Sequence, residues 1–518
     1  MLNKGAIIDE IYLRLMKLSE SQDYNFNMLR GDWGRANSTG YNDKKNLFCK
    51  SMRQLAKASP VKSIGGVYYV FNGKTYEVVE IGVIEAAYEM VVESLCISPM
   101  IAKPTVRKTC FLDVIKYYNA LSPRLDLAAF SNGVLDLSDP FKPVLHDFSP
   151  EFHVLHYHPY EYDPNADCYR WSTFLKEVLP DKNQRMVLQM FLGLGFVQRG
   201  VAWDPYKYKS LDKVELCLMM VGAGANGKSV IFEVIRELFG RERISSMDYD
   251  TLTADGDEGM RGRYPIRNAI FNWSTDSNAR KFGKKNTGMF KRLVSGEPVP
   301  YRKLGEDVME SGMLPYLVFS LNELPYPEDA SLGFIRRLQF VSFDVVIPKE
   351  KQNPDLANIL IKNELSGIFN WVLRGTNELR RRRFKFPLTE GSRKAVLRTL
   401  LGANPILAWL KAYSIRNEKN DAHELPVYIS AQDMYESFVM FCKDNEVEER
   451  EIPTPQKFGR TMWDKCSFFK KRTSAGVSYE TYGVTEKSLK KTIYITSDED
   501  LEKDSVHVTG NSFIKDDD

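Results

Sequence analysis

Between an apolar run, LCLMMV, and a stretch whose apolar residues (Val230, Ile231, Val234, Ile235, Leu238, Phe239) recur at helical spacing stands GAGANGKS, residues 222–229. No other segment restricts the fold as tightly. The run before it has strand length and the stretch after it has helical period, so the chain passes from strand to glycine loop to helix. That order is the context in which the pattern G-x-x-x-x-G-K-[ST] holds phosphate. Glycines let backbone N–H groups turn inward, and the N-terminal end of the next helix adds a favourable dipole end. Lys228 is expected to neutralise the β and γ phosphates of ATP, and the Ser229 hydroxyl to ligate Mg²⁺. The expected ATP-contacting residues are Gly222, Ala223, Gly224, Ala225, Asn226, Gly227, Lys228, Ser229 and Val230. A chance glycine-rich turn is the alternative, and the flanking strand and helix count against it.

Such a site requires a second carboxylate for the metal, delivered by a neighbouring strand. In NAIFNWSTDSN, residues 269–273 read as a buried strand and Asp276 follows its C-terminal end. Asp276 is the Walker B candidate; a helix-capping aspartate is the plainer reading. A further strand is expected over 316–321, ending in Asn322, whose amide could orient an attacking water beside the γ-phosphate. Arg336 and Arg337 then precede another apolar strand in GFIRRLQFVSF. An arginine pair cannot enter a core unpaired. It faces an acidic partner, solvent or phosphate, and in a ring one arginine could reach the neighbouring subunit's γ-phosphate.

At 518 residues the chain has room for roughly three or four domains. Its 27% charged and 43% hydrophobic residues suit a soluble globular protein. No run of about 18 apolar residues predicts a membrane span, and the first residues read as a cytosolic start, not a signal peptide. Seven scattered cysteines without a CxxC pair argue against a disulfide framework or a zinc knuckle. The net charge of +3 conceals an asymmetry: residues 498–518 hold eight acids against two lysines, which leaves the remaining chain at +9. A basic body is compatible with a nucleic-acid partner, without proving one.

Along the chain, 1–125 reads as a mixed α/β region with a hairpin turn at Asn72-Gly73. Residues 126–205, with a second turn signal at Asn132-Gly133 and two or three packed helices over 166–200, read as a module preceding the α/β core at 206–348. Helices dominate 349–420. The unit at 421–496 opens with a helix that Ser430 can cap, continues with one opened by Thr454 and Pro455, and closes with a hairpin in GVSYETYGV. Residues 497–518 read as an acidic disordered tail.

The loop, Asp276, Asn322 and the arginine pair, in this order, resemble the superfamily 3 helicases, specifically the phage/plasmid primase-helicase branch related to poxvirus primase-helicases. The resemblance extends over most of the chain. FSNGVLDLSDP, YDPNADCYRWSTFLKEVLP and LQMFLGLGFVQRG look like the helical module of that branch; FKRLVSGEPVPYRKLGE looks like its DNA-contacting hairpin; TPQKFGRTMWDKCSFFKKRTSAGVSYETYGV is similar to its winged helix. It implies an α/β fold with an AAA+-like P-loop ATPase core, a helical N-terminal module and a C-terminal winged helix. It assigns Asp276 to motif B and Asn322 to sensor 1, favours Arg337 over Arg336 as the arginine finger, and places Lys303, with Arg302 second, against DNA. The implied activity is ATP-dependent, Mg²⁺-requiring unwinding by a hexamer that pulls single-stranded or forked DNA 3′ to 5′, in the cytoplasm of a bacterial host. A separate primase or origin-binding protein is the expected further partner. Two departures stand out: Thr275, not an acid, precedes Asp276, and no primase domain is recognisable before Asn132. An ATP-switched origin-binding initiator that does not unwind is the alternative, supported by the basic C-terminal helix.

His153, His156 and His158 lack a nearby fourth ligand and read as connector residues. The run Arg380, Arg381, Arg382, Arg383 and Lys385 fits a solvated helix end as well as a DNA or acidic-partner patch. Lys457, Arg460, Lys470, Lys471 and Arg472 suit duplex binding, although winged helices also serve as protein contacts.

Overall fold

The computed structural model describes residues 4–19, 59–64, 67–94, 111–197 without 123 and 125, 214–325 without 276, 278, 280–281, 284–285, 306–307 and 312–313, and 331–493 without 422, 465 and 474–475, together with 46, 49–50, 52–53, 56–57, 327 and 495. Two compact units divide the chain, Met1–Pro164 and Asn165–Asp518. The division falls inside the stretch 126–205 expected to form one module. The expected tail at 497–518 lies outside the described residues.

In the first unit, α1 (Lys4–Ser19) packs with the helix that follows a three-stranded antiparallel meander, β1 (Lys62–Ile64), β2 (Val67–Phe71) and β3 (Tyr76–Val79). That helix, α2 (Ile81–Ser94), buries Val83, Ile84, Ala87, Tyr88, Val91 and Val92, the spacing of one helical face. The β2–β3 hairpin turns where the sequence indicates: the Asn72 side chain accepts the Lys74 and Thr75 N–H groups at 2.9 and 2.8 Å, and Gly73 takes φ +96°. After α3 (Asp113–Tyr118), a second antiparallel sheet orders β4 (Leu127–Phe130), β5 (Gly133–Asp136) and β6 (Val144–His146). Its first turn is Ser131 and Asn132, one residue earlier than the sequence suggests, with Gly133 opening β5 opposite Phe130. Gly133 is required there, since a Cβ would lie 2.5 Å from the His146 carbonyl oxygen. His158 is buried and stacks on Phe130, and His153 meets Tyr76 edge-on.

The second unit begins with α4 (Tyr169–Val178) and α5 (Lys182–Gly193), continues through β7 (Cys217–Val221), α6 (Lys228–Phe239), β8 (Ile244–Ser245), α7 (Tyr249–Thr253), α8 (Gly256–Gly262), β9 (Phe271–Ser274), α9 (Thr287–Ser295), β10 (Val299–Tyr301), β11 (Met309–Ser311), β12 (Tyr316–Leu321), α10 (Leu332–Ile335) and β13 (Leu338–Ser342). Five of these strands form a parallel sheet in the order β13-β7-β12-β9-β8. Every residue of β12 is buried, as expected of a central parallel strand covered on both faces. The bounds of β12 match the sequence expectation; β9, expected over 269–273, runs instead from Phe271 to Ser274.

Helix α11 (Leu356–Arg381) lies along α5 and α6. The seam with α5 depends on missing side chains: a Cβ on Gly375 would sit 2.1 Å from the Gln189 carbonyl oxygen, and one on Gly193 would sit 2.5 Å from the Thr376 nitrogen. The close approach lets the Thr376 hydroxyl donate to the Gly193 carbonyl at 2.8 Å. The Glu364 carboxylate accepts the Arg170 and Trp171 N–H groups at 3.1 and 3.0 Å, capping α4 from the distant α11.

The remaining elements are α12 (Glu390–Ala403), α13 (Pro405–Ala412), β14 (Val427–Ser430), α14 (Ala431–Asp444), α15 (Pro455–Asp464), β15 (Lys470–Thr473), β16 (Gly476–Thr481) and α16 (Glu486–Leu489). Strands β14-β16-β15 form an antiparallel sheet. Ser430 caps α14 as expected, accepting the Asp433 N–H at 3.0 Å. Trp409 is fully buried against Phe438 and Phe458, and its indole N–H donates to Ser437.

Candidate nucleotide-binding site

The loop between β7 and α6 is built on left-handed backbone: Gly224 takes φ +104°, Ala225 +51° and Gly227 +83°. Only glycine adopts such angles without strain, which accounts for two of the three glycines in the motif. The third, Gly222, is required by contact: a Cβ there would meet the Asn226 amide nitrogen at 2.3 Å and the Phe343 carbonyl oxygen at 2.5 Å. Gly227 is the N-cap of α6 and offers no side-chain cap, so the first N–H groups of that helix are not claimed by a capping side chain.

Lys228 is 7% exposed, and its ammonium donates to the Gly222 carbonyl at 2.5 Å and to the Asn226 side-chain oxygen at 3.1 Å. Burial lowers its pKa. A desolvated ammonium held by neutral acceptors at the N-terminus of a helix makes this a place where an anion gains more than it would in water.

Residues 224–230 line a cleft of about 1240 Å³. Gly222 is instead packed under the loop, and Ala223 is exposed beside it. Across the cleft stand the tips of two neighbouring strands, with Ser320 and Asn322 from β12 and Thr275 from β9. The sheet order puts them there: β12 lies between β7 and β9, and the Gly222 N–H donates to the Leu321 carbonyl at 3.1 Å. Asp276, the expected metal ligand, lies outside the described residues. Ser229 is exposed on the cleft wall.

The outer wall was not anticipated from the sequence. It consists of residues 345–349, 351–354 and 356, after β13, with Phe174 and Glu177 from α4. Main-chain bonds fasten it to the loop, from the Ile347 N–H to the Ala225 carbonyl at 2.8 Å, while the Asn226 amide donates to the Phe343 carbonyl at 3.3 Å. Phe174 supports the loop from beneath, its ring 2.7 Å from where a Gly227 Cβ would stand. Only DVVIPKEKQNP, apolar and then proline-interrupted directly after the last strand, could have signalled this wall.

The arginine pair is not near this cleft. The Arg337 carbonyl accepts from the N–H of Cys217, the first residue of β7, so the pair lies one strand length from the loop, about 16 Å at ~3.3 Å per residue. Arg337, 11% exposed, donates to Glu215 at 2.9 Å, to Ser295 at 3.0 Å and to the Gly333 carbonyl at 2.5 Å. Arg336 is 61% exposed and reaches Glu215 only at 3.8 Å. Expected as the finger, Arg337 is thus engaged within its own chain, and Arg336 presents the exposed guanidinium.

Strands β10 and β11 pair as a hairpin whose tip carries Lys303 and Leu304, both exposed. Arg302, expected second to Lys303 against DNA, forms an ion pair with Asp257 of α8 at 2.6 Å, and its main-chain N–H donates to the Met260 carbonyl at 3.1 Å. Together these fix the base of the tip. Of the run at 380–385, Arg381 and Arg382 pair with Glu378 on the preceding turn of α11.

Residues 114–180 match the family model described as D5 N terminal like, and residues 220–337 match that of a family of unknown function, DUF5906. No curated protein matches the chain. Solved structures similar to it include an A-form apo structure of the NrS-1 C-terminal region, 12% identical over 82% of this chain and 96% of that one with a TM-score of 0.41. A second A-form apo structure of that region is 11% identical over 80% of this chain and 94% of that one, with a TM-score of 0.43. Among the described residues, no helix is long and apolar enough to cross a membrane.

Proposed function

We propose that this chain is an ATP-dependent, ring-forming DNA helicase of the superfamily 3 type, with an AAA+-like core and a C-terminal winged helix, serving replication of a phage, plasmid or other mobile element. One observation carries the reading: the buried ammonium of Lys228 faces, across one cleft, the tip of β12 bearing Asn322. The α6 N-terminus and Lys228 hold the phosphates, the outer wall holds the base, and Asn322 orients water toward the γ-phosphate. Oxygen donors suit Mg²⁺, and Ser229 and Asp276 are the hydroxyl and carboxylate that would hold it. Bound there, the ion supplies neutralisation of charge on the β and γ oxygens.

The intersubunit cation comes from the arginine pair. Its distance along β7 from its own loop and the exposure of Arg336 favour Arg336 as the group that reaches a neighbour's phosphate, with Arg337 as its anchor. Lys303 at the hairpin tip contacts the phosphates of the translocated strand, without regard to sequence. A hexamer moving 3′ to 5′ completes the reading.

DNA-stimulated ATPase and unwinding of forked against blunt duplex test it. Lys228→Ala is expected to abolish both activities, and intact hydrolysis in that variant refutes the site. Lys303→Ala is expected to retain ATPase and lose unwinding. The initiator alternative predicts nucleotide-dependent assembly, visible by mass photometry, with no unwinding of either substrate by the wild type.

A further inference from the structure

Among the described residues that line the nucleotide cleft, one alone is acidic: Glu177, in the last turn of α4. A cleft that attracts phosphate with the Lys228 ammonium and a helix N-terminus gains nothing from a carboxylate beside the phosphates. Glu177 is exposed, and its carboxylate has no ion pair or hydrogen bond among the described residues.

The packing of α4 fixes where this carboxylate stands. Phe174 and Val178, one helical turn apart, lie 2.7 and 3.1 Å from where a Gly227 Cβ would be, so the end of the helix rests on the loop. The start of α4 is capped by Glu364, whereas Leu356, at the start of α11, lines the cleft with Glu177. The two helices are therefore antiparallel, and Glu177 belongs with the wall that follows β13. That strand flanks β7 on one side, and β12 with Asn322 flanks it on the other. Glu177 thus stands away from the strand tip proposed for the γ-phosphate. The remaining polar side chains of the wall are committed or of the wrong kind. Gln352 donates its amide to the Ile347 carbonyl at 2.8 Å, and the Asn353 side-chain oxygen accepts the Asp355 N–H at 2.9 Å. Lys349 and Lys351 only donate. A ligand that offers hydroxyl donors on this side finds its side-chain acceptor in Glu177.

We infer, on the nucleotide reading of this cleft, that Glu177 accepts hydrogen bonds from the ribose hydroxyls, so that the site takes ribonucleotides in preference to 2′-deoxyribonucleotides. The two carboxylate oxygens can serve the 2′ and 3′ hydroxyls at once. A site built on a hydroxyl discriminates against the analogue that lacks it. Because Glu177 is exposed to water, the preference is about tenfold, that of one charge-assisted hydrogen bond, and not the far larger ratio of a buried site.

Isothermal titration calorimetry of the full chain with ADP and with 2′-deoxy-ADP, both in Mg²⁺, tests this without hydrolysis. The wild type is expected to bind ADP about tenfold more tightly than 2′-deoxy-ADP. Glu177→Ala should weaken ADP by about tenfold and leave 2′-deoxy-ADP within about twofold, so that the preference disappears. Should Glu177→Ala melt early, Glu177→Gln keeps the size of the side chain and should narrow the preference in the same direction. A merely structural role for the end of α4 weakens both ligands alike. Equal affinities in the wild type, a preference that survives Glu177→Ala, or an equal loss of both ligands overturns the inference while the cleft keeps its nucleotide. A wild type that binds neither ligand overturns the nucleotide reading of the cleft itself.

Discussion

Arg337 donates to the Glu215 carboxylate at 2.9 Å, at the end of β7 opposite the glycine loop. The pair is largely shielded, and Ser295 and the Gly333 carbonyl complete the guanidinium's partners. Its neighbour Arg336 shares Glu215 only at long range. Adjacent residues of one type are thus separated in role by burial.

Removing Arg337 deletes a 2.9 Å ion pair to the half-buried Glu215 carboxylate, so Arg337→Ala should lower stability by about 2 kcal/mol. Arg336→Ala should fall within ~0.5 kcal/mol of wild type in the same urea melts. ATPase is expected to separate them the other way. Arg336→Ala should lose about 10³-fold in a folded protein, and mixing it with Lys228→Ala subunits should restore part of the activity, since only mixed interfaces contain one complete site. Full activity in the Arg336 variant removes it from the site.

Asn322 is exposed at the tip of β12 and lines the cleft. Asn322→Ala should bind a fluorescent ATP analogue as wild type does and hydrolyse ATP about 10²-fold more slowly. A matching loss of binding would show that the amide holds the ligand instead of orienting water.

The glycine seam between α5 and α11 has no room for a methyl group. Gly375→Ala must push Gln189 and its helix away, at about 3 kcal/mol. Gly288→Ala, in the first turn of α9 with nothing within 4 Å, serves as the contrasting case and should be neutral or slightly stabilising. Thermal melts of the two variants test the seam; equal midpoints would contradict it.

Burial pushes the Cys442 thiol up to about 12 from an ordinary value near 9. Between those values the folded chain keeps a proton that the unfolded chain releases, so this group's stabilisation is complete below pH 9 and is lost as pH rises toward 12. The slope is up to about 1.4 kcal/mol per pH unit. Cys442→Ala should therefore lose less stability than wild type between pH 9 and 11 in urea melts. Parallel losses would mean that the thiol titrates normally.

What the sequence made legible was local. The loop, its strand and helix, the Asn72 turn, and the caps at Ser430 and Thr454 are each specified within a few residues by backbone angles or hydrogen bonds that only certain side chains satisfy. Contacts between distant segments were not legible. Glu364 capping α4, Gly375 against Gln189 and residues 345–356 walling the cleft depend on packing that no window of sequence contains. The arginine pair shows the limit at its finest: resemblance pointed to Arg337, but which of two adjacent guanidiniums is exposed is decided by Glu215, over a hundred positions earlier in the chain.

The outer wall of the cleft is joined to the loop through the backbone of Ala225 and Ile347 and the carbonyl of Phe343, not through the side chains of Val345 or Val346. Its spacing from the loop is therefore nearly independent of which residues occupy those positions. Over evolutionary time this strip is free to diverge while the aperture keeps its dimensions. Distant homologues should share the shape of this entrance long after its sequence has ceased to be alignable.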